Sequence, residues 1–510
     1  MSRTRNAWRN VIWGMVNRIV KLLIPFLLRT LIIFEIGIEY LGLDGLFVSV
    51  LQVLNIAELG FSSAIVFSMY KPLADKDTKT ICALLLFYKK SYHFIGYIVL
   101  VLGLIIIPFL PKLVAGSIPT DINIYILYAI YLGNAVLGYF FYAYNNSLLI
   151  ADQRNDVLSN LDSMLQILKC IIQIFLVFFL HDYYAYIIVL PIFTVINNLL
   201  VKYITSKNYP MYICAGELAK DLSLDIKKRV AGLMIYRFCS VSRNGFDNMF
   251  LSAYLGLSTV AIYNNYYLVL TGLTSVMGVV SQSISASVGN SIATESVEKN
   301  YADFELLNFI YMLIAGGMTI LLFILYQPFI LLWLGKAYVL PLSVVIVLSI
   351  YFFVLKMGDV RGIYNDAAGL WWEQRYRTII EAVANVVLNF VLINKFGVMG
   401  VVLASLISLF VVGVIGSAYV TFKCYFGYDK LWEYLWAQMS YLGSTIILTG
   451  LGYFIIEMIS PSVSFIGIGI RIFICFIVYI IGTWLVWHHT NLYSQSQKFM
   501  RKSFMLIKNR

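Results

Sequence analysis

The chain has 510 residues, of which 61% are hydrophobic and only 12% charged, about half the ~25% charge of a soluble globular protein. Apolar residues arrive in blocks longer than the ~18 residues at which a bilayer span becomes the default reading. A separate aqueous catalytic domain is therefore excluded, and the net charge of +11 argues nothing about nucleic acid until the bases are placed along the chain.

The basic start, Met1 to Arg9, leads into an apolar run that continues to about Phe34 without a small-x-small cleavage site. It reads as a retained first span rather than a signal peptide. Further spans are predicted at 45–69, 86–110, 123–149, 158–180, 184–204, 230–253, 258–291, 306–334, 341–368, 377–394, 398–422, 436–458 and 464–488, with the first at 10–34. Each is long enough to cross ~30 Å at 1.5 Å per residue. The longest inner connection, about Thr205 to Arg229, reads as an amphipathic linker. Asp429 to Trp436 reads as an interfacial piece with Trp432 and Trp436 at headgroup depth. The expected fold is all-α and integral to the membrane, with about fourteen helices. Residues 1–206 form an N-terminal six-helix bundle, 207–229 a cytoplasmic linker and 230–425 a second six-helix bundle in pseudo-two-fold arrangement. Residues 426–490 hold the interfacial helix and helices 13 and 14, and 491–510 a basic tail.

Orientation follows from lysine and arginine. With the N-terminus inside, the outer side carries only Lys112, Lys336 and Lys395, while 25 of the 37 basic residues fall in inner segments and nine within the spans. Both termini are thus expected in the cytoplasm. The six cysteines (Cys82, Cys170, Cys214, Cys239, Cys424, Cys475) lie far apart and make no CxxC, so neither a disulfide framework nor a metal site is suggested.

An internal repeat is visible. Tyr40-Leu41-Gly42-Leu43 follows the first span and Tyr254-Leu255-Gly256-Leu257 follows the seventh, and the same displacement carries Arg29 onto Arg243. Six spans per half is an even number, so the halves share one orientation and relate by an axis along the membrane normal.

Nine bases lie within the spans: Arg18, Lys21, Arg29, Lys169, Arg237, Arg243, Lys356, Arg361 and Arg471. Facing lipid, they would cost on the order of 20 kcal/mol together. They must meet a wet cavity, a carboxylate or an anionic ligand. On the first helix Arg18, Lys21, Pro25 and Arg29 fall within about 80° of one another, a positive stripe with a proline kink. In the seventh, Arg237 and Asn244 share a face, and Arg243 and Asp247 are spaced i,i+4. Lys356 and Asp359 are spaced i,i+3, leaving Arg361 toward the inside, and Arg471 is placed to snorkel outward. Buried acids are fewer: Glu58, Asp162, Asp247, Asp359, Asp366 and Glu381. A net positive cavity suits an anionic ligand, because guanidinium grips phosphate bidentately and is always charged. Substrate-binding candidates are therefore Arg18, Lys21, Arg29, Arg237, Arg243, Asn244, Lys356 and Arg361, joined by Asn264 and Asn265. Glu58, Asp247, Asp359 and Glu381 are candidates for charge balance or ion coupling. No catalytic residue, metal ligand or cofactor site is indicated.

Tyrosine and asparagine recur together, as Tyr125, Tyr128, Tyr131, Asn134, Tyr139, Tyr142, Tyr144, Asn145 and Asn146 in the fourth span and Tyr263 to Tyr267 in the eighth. Such pairs suit sugar rings, through stacking and hydroxyl hydrogen bonds; an interfacial aromatic belt accounts for part of them.

The run Tyr40 to Leu46 (YLGLDGL), then Ala57-Glu58-Leu59-Gly60 and Tyr70 to Asp77 (YKPLADKD), resembles the N-terminal half of Wzx-type polysaccharide transporters. Asp247-Asn248 before Tyr254-Leu255-Gly256-Leu257, Tyr263-Asn264-Asn265-Tyr266, Ser287-Val288-Gly289-Asn290, Glu381 with Asn385, and Gly397 to Gly400 resemble the remainder, over roughly residues 10–425. The resemblance implies the fold of multidrug and toxin extruders and of the lipid II flippase, two bundles facing a central cavity. It also implies a bacterial cytoplasmic-membrane flippase that moves undecaprenyl-pyrophosphate-linked oligosaccharide for capsule or O-antigen assembly. Its partners would be that lipid-linked cargo, membrane lipid, a coupling ion (H+ or Na+), a polysaccharide polymerase and glycosyltransferases. Two rivals are a drug or ion antiporter of the same fold and a membrane-embedded glycosyltransferase or polymerase. The first usually needs cavity carboxylates, and the first helix has none between Arg9 and Phe34; the second needs a sizeable outer loop, and the outer loops are short.

Overall fold

The computed structural model describes residues 3–58, 61–116 and 118–508; some helical side chains, concentrated between 225 and 244, lie outside the description. The described residues are helical throughout, with no strand. In chain order the helices are α1 (Arg3–Glu35), α2 (Ile38–Leu54), α3 (Phe61–Ala74), α4 (Thr78–Ile106), α5 (Ile124–Phe140), α6 (Asn146–Ala151), α7 (Asn155–Leu180), α8 (Tyr183–Asn208) and α9 (Lys220–Leu255). They continue as α10 (Leu257–Thr294), α11 (Val297–Trp333), α12 (Leu342–Met357), α13 (Asp359–Ala367), α14 (Arg375–Phe396) and α15 (Val398–Ser408). Last come α16 (Ser417–Thr421), α17 (Leu431–Ile459), α18 (Phe465–Trp487) and α19 (Asn491–Lys508).

Every predicted span meets a helix. Among the described residues ten helices are long and apolar enough to cross a bilayer, and the α5–α6 pair, bent by 51°, adds an eleventh if it is one span. The spans outside that set are the instructive ones. α1 and α9 carry five of the nine intramembrane bases, and the second span is two short helices, α2 and α3, parted by a 3-10 turn at Asn55–Glu58. The α5–α6 bend sits at Tyr142, whose φ of +55° interrupts the helical backbone. The charged linker is more ordered than its composition implies: from Lys220 onward it is the first part of the 36-residue α9.

By internal contacts the chain divides into two units, Met1–Ala261 and Ile262–Arg510. In the first, α1 lies along α7, α2 along α9, and α8 packs on both α5 and α7. α9 therefore packs with the helices that precede the linker. Gly245 lets it come close to α2, since a Cβ there would stand 2.9 Å from Val53 and 3.2 Å from the Ser49 carbonyl. In the second, α11 is central, touching α12, α17 and α18, while α14 pairs with α15. Outward faces are apolar: Met164, Ile171 and Phe175 on α7, and Ile466, Phe473 and Phe476 on α18, are all exposed. In lipid these need no cover, and association rests on close packing and interhelical hydrogen bonds.

The long helix after Phe396 is not uniform. Leu409–Gly416 and Phe422–Phe426 are π-helical, wider than an α-helix and so less able to satisfy their own carbonyls.

Candidate functional site

The basic stripe of α1 runs along α7, and α7 answers it with acids. Lys21 Nζ lies 2.7 Å from Asp162 Oδ2. Asn17 donates to the same oxygen at 2.8 Å and to Ser163 Oγ at 3.1 Å. Nearer the N-terminal end of α1, Arg9 pairs with Asp156 at 2.7 Å, and Arg154 reaches the same carboxylate at 3.2 Å. Arg18 is exposed on the stripe.

Arg29 lies in the electrostatic reach of Asp44, with Tyr183 and Tyr186 beside it. Asp44 is itself organised: Tyr131 donates to its Oδ1 at 2.6 Å, lies 3.3 Å from the Tyr183 hydroxyl, and Tyr183 donates to the Tyr40 carbonyl at 3.0 Å. Asp44 was missing from the sequence-derived acids because the second span was started at residue 45, whereas α2 begins at Ile38. Gly37, at φ +140°, supplies the break that lets α2 start so soon after α1, and it was the available signal.

Glu58 lies in the 3-10 turn after α2. Tyr92 donates to Oε1 at 2.7 Å and Tyr139 to Oε2 at 2.8 Å; Tyr139 also reaches Asn55 Oδ1 at 3.0 Å, and Tyr88 donates to Tyr92 at 2.9 Å. The sequence favoured a nearby arginine as the partner. Among the described residues no basic side chain lies within ion-pair distance of Glu58, and phenols take that place. The fourth-span tyrosines are thus largely engaged inside the protein, Tyr131 on Asp44 and Tyr139 on Glu58, while the Tyr142 ring receives Lys202 Nζ at 3.7 Å.

α9 brings Arg243 and Asp247 to buried positions one turn apart, with Asn248 donating to Ser49 Oγ at 2.8 Å. The side chains of Arg237 and Asn244 lie outside the described residues.

In the second unit the expected pair forms, Lys356 Nζ lying 2.9 Å from Asp359 Oδ2, with Tyr311 donating to the same carboxylate. Arg361, expected to point freely inward, is engaged by the backbone. It is 3% exposed and donates from Nη1 to the Val414 carbonyl at 3.0 Å and the Tyr434 hydroxyl at 3.1 Å, and from Nη2 to the Gly413 carbonyl at 3.1 Å. Its position is set by the π-helical stretch, which no sequence pattern announced. Glu381 pairs with Arg377 at 2.5 Å, directly over Gly413. Asn385 donates to Ser405 Oγ at 3.0 Å, and Asn264 and Asn265 are both buried on α10. Arg471, expected to snorkel, donates to the carbonyls of Ser462 at 3.0 Å and Pro461 at 2.7 Å, tying the loop before α18 to that helix. Among the described residues no group of three His, Cys, Asp or Glu side chains could hold a metal ion.

The site's chemistry is therefore uneven. The first unit concentrates bases, carboxylates, phenols and amides on α1, α2, α5, α7 and α8, whereas the second unit's Lys356 and Arg361 are held by internal partners. No protein-family profile matches the chain, and no curated protein matches it in sequence. Solved structures do match. Similarity to the lipid II flippase MurJ, in an inward closed conformation, covers 93% of this chain and 98% of that one at 16% identity, with a TM-score of 0.67. An inward-facing multidrug resistance MATE family transporter of the MOP superfamily matches over 82% of this chain and 99% of its own, at 14% identity and a TM-score of 0.64. A MOP superfamily transporter from Pyrococcus furiosus matches over 84% and 96%, at 14% identity and a TM-score of 0.53. At such identities the correspondence is one of architecture: the chain has the helical membrane fold that these transporters share.

Proposed function

We propose that the protein is a flippase that carries undecaprenyl-pyrophosphate-linked oligosaccharide repeat units across the bacterial cytoplasmic membrane, both termini lying in the cytoplasm. The observation that carries this reading is the basic face of α1, on which Arg18, Lys21 and Arg29 align within a membrane helix. Arginine in such a place meets phosphate with two parallel, charge-assisted hydrogen bonds. Asp162 pairs with Lys21, and the charge of Asp44 lies within electrostatic reach of Arg29, which lessens the cost of holding the cations there before cargo arrives. A flippase of lipid II is a neighbour in fold, which supports a lipid cargo.

Movement is by alternating access: the pyrophosphate and sugars enter a cationic cavity lined by α1 while the polyprenyl tail stays in lipid. A drug antiporter of the same fold is the rival reading, supported by the multidrug transporters among the structural neighbours. It is less well supported by α1 itself, which offers bases and no acid between Arg9 and Phe34. Single replacement of Arg29, Arg237 or Arg243 by Ala or Glu, with export of the repeat unit assayed in cells, tests the proposal. Loss of export at normal protein level is expected. Normal export from all of these variants would overturn the assignment of the cavity.

A further inference from the structure

About halfway along α5, α7 and α8 the first unit has an open-sided cavity of about 220 Å³, lined among others by Asn134, Asp162, Gln166, Lys169, Thr194 and Asn197. This is smaller than the pockets that take drug-sized ligands and is suited to a single ring. Its polar groups stand at mid-helix, where lipid-facing polarity is costly, and each is partly covered and lines the cavity. Thr194 donates to Asn134 Oδ1 at 2.7 Å and orients that amide. Gln166 turns toward Asp162, which is already held by Lys21 and Asn17. Lys169 and Asn197 make no hydrogen bond or ion pair among the described residues.

The lining has a distinct chemical signature. Amide and hydroxyl groups both donate and accept, which matches a ligand whose own groups do both, namely sugar hydroxyls. Free phosphate only accepts at its ionised oxygens, and Asp162 in the lining, its charge balanced by Lys21, opposes a dianion more than it opposes the single charge of a carboxylate beside Lys169. One unspent ammonium, Lys169, matches a single negative charge. Phe193, buried against Leu165 and Val189, gives an apolar wall for the C–H face of a pyranose.

We infer that this cavity is a subsite for one hydroxylated ring bearing a carboxylate, a uronic-acid-type sugar, with Lys169 on the carboxylate and Asn134, Thr194 and Asn197 on the hydroxyls. The inference rests on the reading of the cargo as a lipid-linked saccharide and names one of its sugars by charge.

The test uses the full chain in nanodiscs, with glucuronate, glucose and inorganic phosphate as probes in saturation-transfer NMR. Glucuronate is expected to bind about tenfold more tightly than glucose, the worth of one charge-assisted hydrogen bond, and phosphate is expected not to displace it. Lys169→Gln should bring glucuronate down to the level of glucose and leave glucose unchanged. Asn197→Asp, which keeps the size of the side chain, should weaken glucuronate selectively. Equal binding of the two sugars by the unaltered protein, displacement by phosphate, or glucuronate binding indifferent to both substitutions would overturn the subsite. Polyprenyl pyrophosphate without sugar serves as the separate arm. If it binds while glucuronate shows no preference, only the subsite fails; if it does not bind, the proposed cargo fails.

Discussion

Arg361 donates to the Val414 carbonyl at 3.0 Å and the Gly413 carbonyl at 3.1 Å, so one guanidinium caps two oxygens of a π-helical stretch. The same stretch passes close to the Arg377–Glu381 pair, since a Cβ on Gly413 would stand 3.2 Å from both Glu381 carboxylate oxygens. A buried arginine here completes a helix.

Arg361→Met should therefore act on stability. It removes three guanidinium hydrogen bonds, to Val414, Gly413 and Tyr434, at about 1 kcal/mol each, for a total loss of about 3 kcal/mol. The check is thermal unfolding of purified protein in detergent. Arg361→Lys should fall between, because an ammonium on a flexible stem cannot reproduce the fork. An unchanged melting temperature in Arg361→Met would contradict the capping role.

Glu58 is held by two phenols, one on each oxygen. Glu58→Gln keeps one acceptor and loses the other, at about 1 kcal/mol of stability. Among the described residues Glu58 meets phenols and no base, and it is the carboxylate we propose for ion coupling. Transport by Glu58→Gln in proteoliposomes should therefore lose its response to an imposed pH gradient. A response equal to that of the unaltered protein would remove Glu58 from coupling.

Gly42 marks the place where the two Tyr-Leu-Gly-Leu repeats meet. A Cβ there would stand 2.2 Å from the Leu257 carbonyl oxygen, while next to it Ser258 donates to Glu39 Oε1 at 3.0 Å. Gly42→Ala should push backbone from backbone and destabilise the protein by ~1–3 kcal/mol. Gly14, with open space around it, is the control, and Gly14→Ala should leave the melting temperature within a degree or so.

Much of this arrangement was legible in the sequence, for physical reasons. Apolar runs long enough to span a bilayer have few alternative fates, so each predicted span found its helix. Local pairs were also accessible: Lys356 and Asp359 are three apart and meet as the helical period requires. Pairings between distant segments were not accessible. Nothing near Lys21 points to Asp162, and nothing near Arg29 points to Asp44, because those meetings depend on how α1 is laid against α7 and α2. The engagement of Arg361 was hidden for a different reason. Its acceptors are backbone oxygens, freed by a local change of helix type that side-chain spacing does not encode. Arg471 was expected to snorkel outward, and its guanidinium is taken by the loop carbonyls of Ser462 and Pro461.

The most direct test of the account is translocation in proteoliposomes of a fluorescent, short-chain polyprenyl-pyrophosphate disaccharide by Arg29 variants. The unaltered protein should move the headgroup to the opposite leaflet. Arg29→Lys, which keeps the charge but loses the fork, should slow it several-fold, and Arg29→Ala at least tenfold, the equivalent of about 1.4 kcal/mol. Translocation at the unaltered rate by both Arg29→Ala and Arg29→Glu, in folded protein at equal density, would contradict the central claim that the basic face of α1 carries the pyrophosphate.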